Sequence, residues 1–228
     1  MKKFFNTKGV AAHRRLEGWP LVFTVLTTVA ILIGGAVEFV PMVLVQSNMP
    51  RIATVKPFTP LELEGRDIYI REGCNNCHSQ MVRPFRDELE RYGEYSKAGE
   101  TVYERPFLWG SKRTGPDLAR VGGKYPHLWH VRHMEDPRST SPRSIMPAYP
   151  WLLTKPLDLG DASRKLAVLQ GLGHPYTDAE VQHAATDALE QAQQIAADIA
   201  AQGGPARLAD REIVAMVAYL QRLGMDIR

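Results

Sequence analysis

The sequence predicts a mainly α-helical protein, with a single N-terminal transmembrane helix followed by an all-α domain that has long loops and one extra long helix. Three observations lead there. An uncharged run from Leu21 to Val37 resumes after Glu38 and continues to Val45, which exceeds the ~20 residues a helix needs to cross a bilayer. Two capping signatures, Thr59 with Glu62 and Thr177 with Glu180, each set a Thr three residues before a Glu at a helix start. Between them, residues 79–160 are rich in turn and breaker residues and show little sustained periodicity.

The first element is the anchor. Residues 1–18 carry Lys2, Lys3, Lys8, Arg14 and Arg15 against one acid, Glu17, so the positive-inside rule leaves that end in the cytoplasm and sends the chain outward after Val45. No small-residue cleavage site follows Val37, which favours an uncleaved anchor over a signal peptide. Residues 19–45 form the span. Within it Glu38 is an expensive carboxylate unless interfacial, protonated or paired, Gly34 and Gly35 allow another helix to approach, and Pro41 kinks or ends the helix.

Residues 46–58, with Pro50 and Pro57, read as a connector. From residue 59 to 228 the chain reads as one globular domain. Thr59, Pro60 and Glu62 start a helix on which Leu61, Gly65, Ile68, Tyr69 and Glu72 recur at helical spacing, and Gly73 ends it. Near the C-terminus, Asp210 is a candidate cap for a helix from Arg211 to Leu223, with Ile213, Val214, Val217 and Leu220 on one face and Gly224 as its stop. Each helix is too short to stand alone. They are expected to pack together, with Gly65 admitting Tyr219 or Ala218. A helical insertion at about 161–204 comprises a short helix from Ser163 to Leu172 and a long one from Thr177 to about Gln202. The long helix carries a thin stripe of Val181, Ala185, Ala188, Ala192, Ile195 and Ile199, read either as packing on its own domain or as a docking face.

At 228 residues, with 44% apolar and 23% charged, the chain is long and apolar enough to bury a core. A formal charge of +3 and the lack of a basic run interleaved with aromatics give no nucleic-acid partner.

The chemistry is concentrated in Cys74-Asn75-Asn76-Cys77-His78, which contains the only two cysteines. Two thiols spaced to reach the vinyl groups of one haem, followed at once by an imidazole, read as a c-type haem attachment site. A dithiol redox site or half of a zinc site are the rivals. No βαβ pattern and no second cysteine pair support them. His78 is the candidate proximal ligand. For the sixth position Met81 is too near His78, leaving Met134, Met146, Met216 and Met225, with His127, His130, His133, His174 and His183. Met146 is favoured, because Ser144-Ile145-Met146-Pro147 is a loop stiffened by Pro147, whereas Met216 falls inside the last helix. A carbonyl in the turn Gly115-Pro116-Asp117-Leu118 can accept the Nδ1 proton of His78. Arg83, Arg113, Arg120, Arg138 and Arg143 are candidates for the haem propionates.

Taken together, these residues resemble the mono-haem, membrane-anchored cytochrome c subunit, CcoO or FixO, of cbb3-type cytochrome c oxidases. The resemblance covers nearly the whole chain. It rests on Gly34 to Pro41, on Glu72 to Met81, on Ser144 to Pro147, on Trp109, Gly110 and Thr114 to Leu118, and on Gly173 to Tyr176. It implies a cytochrome c-like fold with one covalent haem c on Cys74 and Cys77 and axial ligands His78 and Met146. It further implies a bacterial inner-membrane protein with its haem domain in the periplasm. Such a subunit performs no bond chemistry of its own. It relays electrons from a di-haem cytochrome c subunit to the low-spin haem b of a catalytic haem-copper subunit that reduces oxygen to water and pumps protons. Two other functions stay open from the residues alone: the anchored cytochrome c of another respiratory complex, such as nitric oxide reductase or a cytochrome bc complex, and a haem-based sensor.

Overall fold

The computed structural model describes residue 14, residues 16–45 and residues 50–227; Lys2, Lys3, Lys8, Arg15 and the connector residues 46–49 lie outside it. Two compact units divide between Pro50 and Arg51. Helices dominate both, and among the described residues the only strand-like pairing is an isolated bridge between Pro156 and Arg211.

The first unit contains α1, Pro20–Leu44. Pro20 occupies its first turn, where a missing N–H costs nothing. At 1.5 Å per residue its 25 residues reach about 37 Å, enough for a bilayer's ~30 Å hydrocarbon layer. The stretch Pro20–Met42 has a mean hydropathy of 2.2 and none of it is buried within the protein, as suits a helix whose solvent is lipid. Thr24 and Thr28 return their hydroxyls to the carbonyls of Pro20 and Thr24, both at 2.8 Å, so neither faces apolar surroundings unpaired. Pro41 does not end the helix, which continues to Leu44.

The second unit is built on a crossing of α2, Pro60–Arg71, and the last long helix, α8, Glu212–Arg222. Thr59 and Glu62 close the capping box expected for α2. Gly65 sits at the crossing, where a β-carbon would fall 1.9 Å from the Ala215 carbonyl oxygen and 2.8 Å from Tyr219 Cβ. Only a residue without a side chain lets the two backbones approach so closely. Tyr69 and Tyr219 then meet at 5.3 Å between ring centroids, and Phe58 meets Tyr219 edge-on at 5.8 Å. Leu61, Ile68, Ile213, Val214, Met216 and Val217 fill the fully buried core around them.

Asp210 does not cap α8. The N-cap is Arg211, in extended conformation with no side-chain cap, because the chain enters α8 directly from the bridge to Pro156. Glu212 N–H is taken by the Lys155 carbonyl at 3.1 Å. The stop is as expected: Gly224 adopts φ +78° just after the helix.

Intervening elements are α3, Arg86–Tyr92; α4, His127–Glu135; and a single turn, α5, Pro137–Thr140. The insertion forms α6, Ala162–Gly171, and α7, Asp178–Ala201, the latter opened by the Thr177–Glu180 capping box. The α7 stripe packs on its own domain, through Ala184, Ala188, Ala192, Ile195, Ala196 and Ile199. Ala185, expected in that stripe, is exposed and Ala184 takes its place. Leu63, Ala162, Leu166, Tyr176 and Ala184 form a smaller core joining the insertion to the outer face of α2.

Candidate haem-binding site

The attachment turn begins where α2 stops. Gly73 takes φ +72°, a left-handed conformation open to glycine, and turns the chain into the 3₁₀ segment Cys74–Asn76. Cys77 N–H and His78 N–H both donate to the Cys74 carbonyl, at 3.2 and 2.9 Å. One tight turn thus presents both thiols and the imidazole together. Both cysteines are free, Cys74 buried and Cys77 exposed. Burial, with Glu72 adding to it, pushes the Cys74 thiol up to about 12. A thiol so disposed is a poor redox nucleophile.

His78 is oriented by its neighbours. Its Nδ1 lies 2.8 Å from the Pro116 carbonyl oxygen. A carbonyl can only accept, so Nδ1 carries the proton and the neutral ring keeps its Nε2 lone pair. Burial lowers the imidazole pKa, while the Pro116 carbonyl and Asp117 oppose it. The Gly115 backbone lies over the ring: a β-carbon there would be 2.3 Å from Cε1. Gly115 N–H donates to Cys77 O at 2.9 Å and Leu118 N–H to Ser79 O at 2.8 Å. The two loop segments are therefore laced together on either side of the histidine.

Beneath this lacing lies a buried polar network that the sequence reading did not assemble. The Asp117 carboxylate accepts from Ser79 Oγ at 2.6 Å, Met81 N–H at 2.9 Å and Ala119 N–H at 2.8 Å. Arg113 spans it, donating to Ser79 Oγ at 2.7 Å, to Met81 O at 2.8 Å and to Glu88. Glu88 also receives Arg83. Hydrogen bonding to Arg113 and Arg83 outweighs the cost of burial and holds the Glu88 carboxyl down at about 2. No local pattern marks these residues, since the partners of Ser79 lie 34 and 38 positions away.

Of the propionate candidates, Arg83 and Arg113 are engaged in this network and Arg120 with Glu100, the last at 2.8 Å. Arg138 and Arg143 remain exposed.

On the other side of the attachment turn, the core that contains Cys74 also contains Met134, with Met146 and Tyr149 packed against it. Met146 is partly buried in its loop, its N–H donating to Ser144 Oγ at 3.2 Å. Tyr149 N–H donates to Met134 O at 2.7 Å, tying that loop to α4. Trp151 Nε1 donates to Glu72 at 3.1 Å, bringing the same segment back to the attachment turn. Met216 is fully buried inside α8 and Met225 is exposed in the tail turn. Of the histidines, His133 bonds Thr140 Oγ1 at 2.6 Å and stacks on Trp129; His130 is buried, with burial first and His127 and His133 next lowering it to about 4. His183 sits exposed on α7, His127 lies 3.5 Å from Asp198, and His174 is buried between Tyr103 and Tyr176. No group of three His, Cys, Asp or Glu among the described residues is placed to hold a metal ion between them.

A family model described as cytochrome c oxidase, mono-heme subunit/FixO, matches residues 13–227. The chain belongs to the FixO family. It is therefore a subunit of a cytochrome c oxidase and carries a haem. The match takes in the apolar helix α1 as well as the globular unit, consistent with a membrane anchor. No curated protein matches the chain. The residues fit the haem of a FixO subunit: two free thiols and a proton-donating Nδ1 stand on one turn, and among the described residues no hydrogen bond engages His78 Nε2.

Proposed function

We propose that Cys74 and Cys77 bind one haem c covalently, that His78 and Met146 are its axial ligands, and that the chain relays electrons within a cbb3-type terminal oxidase. The observation carrying this reading is the His78 Nδ1 to Pro116 contact of 2.8 Å beside two free cysteines on the same turn. The haem, when bound, supplies a one-electron ferric and ferrous couple. Pro116 fixes the ring orientation and raises the basicity of Nε2. Met146 would offer its thioether as the second ligand to the iron, which would raise the potential relative to a second histidine. Residues 1–18 lie in the cytoplasm, 19–45 span the bacterial inner membrane, and the domain from 59 onward faces the periplasm. Electrons arrive from a di-haem cytochrome c subunit and leave for the low-spin haem b of the catalytic haem-copper subunit, which reduces oxygen to water and pumps protons.

Purification of the tagged full-length chain in mild detergent tests the assignment. A polytopic subunit containing haem b and copper, together with a di-haem cytochrome c, is the expected company. Copurification with a copper-free or quinol-oxidising complex contradicts it.

A further inference from the structure

Behind the attachment turn the core holds polar atoms with no partner. Arg66 Nε, Tyr69 OH and Gln80 Nε2 are buried and make no hydrogen bond, and their residues are only 4%, 1% and 6% exposed. Such atoms are costly to bury dry. All three belong to one neighbourhood. Tyr219 OH donates to Gln80 Oε1 at 3.0 Å, Tyr219 packs on Tyr69, and the Arg66 guanidinium donates to the Pro106 carbonyl.

A cavity of about 60 Å³ opens beside Gln80, the one of the three residues that lines it, with Thr101, Tyr103 and Glu104 also in its wall. A single water needs about 10–15 Å³ and two or more polar partners, so there is room and chemistry for several. Glu104 stands two residues before Pro106, the residue Arg66 holds. Burial pushes its carboxyl up to about 7, against the pull of Arg66 and with Glu100 adding to it. Part of Glu104 remains accessible, which opens a route from solvent.

The other charges around the cavity are mostly matched. Arg120 pairs with Glu100. Arg222 of α8 pairs with Asp226 and Glu62. Lys56 lies exposed at the rim, and His174 reaches the lining through Tyr103, at 5.3 Å between ring centroids. Glu104 is thus the carboxyl whose charge depends on its surroundings.

We propose that this cavity is a hydrated chamber in which Glu104 takes up a proton from solvent when the haem beside His78 is reduced, and returns it on reoxidation. One electron enters from the donor subunit and one proton from bulk water. The carboxylate becomes a neutral carboxyl, offsetting the added negative charge, and both steps reverse when the electron leaves. Gln80 lines the cavity and follows His78 by two residues, so the cavity borders the chain just after the attachment turn. The inference rests on the haem being held at the attachment turn.

Optical redox titration of the haem-loaded full-length chain in detergent, from about pH 5 to about pH 9, reads the linkage directly. The wild-type potential should fall as pH rises through neutrality, by about 59 mV for each tenfold difference in Glu104 proton affinity between the two redox states. Glu104→Gln should abolish that fall with the visible spectrum unchanged. A flat wild-type profile, or an undiminished fall in Glu104→Gln, overturns the proposal. Should the variant fail to accumulate, the reduced-minus-oxidised infrared difference spectrum of the wild type decides: a protonated-carboxyl stretch that grows on reduction supports it, and no such band overturns it. Haem retained on the chain after denaturing electrophoresis of the same sample checks the attachment reading separately.

Discussion

Gly115 and His78 are packed so closely that a β-carbon on Gly115 would lie 2.8 Å from both imidazole nitrogens and 2.3 Å from the carbon between them. The ring is therefore held face-on by backbone while the carbonyl of the next residue, Pro116, accepts a hydrogen bond from its Nδ1–H. Orientation of the proximal ligand is a property of this loop as much as of the attachment motif.

Gly115→Ala should displace the imidazole or the Pro116 carbonyl, because neither is a flexible side-chain end that can give way. Overpacking of this kind typically costs about 1–3 kcal/mol. The expected result is a lower yield of haem-loaded protein and an altered ferric spectrum. An unchanged spectrum and thermal midpoint would count against the packing described.

Met146→Leu should retain the covalent haem and lose the ferric methionine-to-iron charge-transfer band, since leucine fills the space without a donor. The ferrous variant should also bind carbon monoxide promptly. If the band persists, the ligand lies elsewhere, with Met134 the next candidate in the same core.

At the crossing of α2 and α8, Gly65→Ala would drive a methyl group to within 1.9 Å of the Ala215 carbonyl oxygen. Backbone must move to admit it. A loss of about 2–3 kcal/mol, the upper part of the overpacking range, should appear as a clear drop in the thermal unfolding midpoint. A midpoint equal to the wild type's would mean that the helices separate freely.

Glu88 gives a pH signature. Its folded pKa of about 2 lies below the ordinary 4.5, with Arg113 the first cause. The charged form is thus favoured in the folded state, so the stabilisation is present above pH 4.5 and is lost as pH falls towards about 2. Thermal melts of wild type and Glu88→Gln across that window should converge at the acid end, with the variant weaker at neutral pH. Parallel curves would exclude Glu88 as the source.

Local signals made much of this legible. Both capping boxes, the left-handed glycines at 73 and 224 and the apolar span are written in residues that interact within a few positions of one another. The turn Gly115-Pro116-Asp117-Leu118 is legible as a source of a carbonyl partner for His78, and the structure places that of Pro116 there. What escaped depends on distant partners. Asp210 has the chemistry of a cap, but a bridge formed 55 positions from Arg211, at Pro156, supplies the Lys155 carbonyl instead. Helix α4 escaped because its short run of histidine and tryptophan hides the buried faces of Leu128, Val131 and Met134. The network of Ser79, Glu88, Arg113 and Asp117 escaped because an isolated acid or arginine on a loop reads as solvated until folding surrounds it.

The most direct test of the central claim is the intact mass of the full-length chain under denaturing conditions, compared with Cys74→Ala/Cys77→Ala. Covalent attachment predicts that the wild-type polypeptide carries the added mass of one haem and that the double variant does not. A wild-type chain purified from haem-replete cells at its unmodified polypeptide mass would contradict the account.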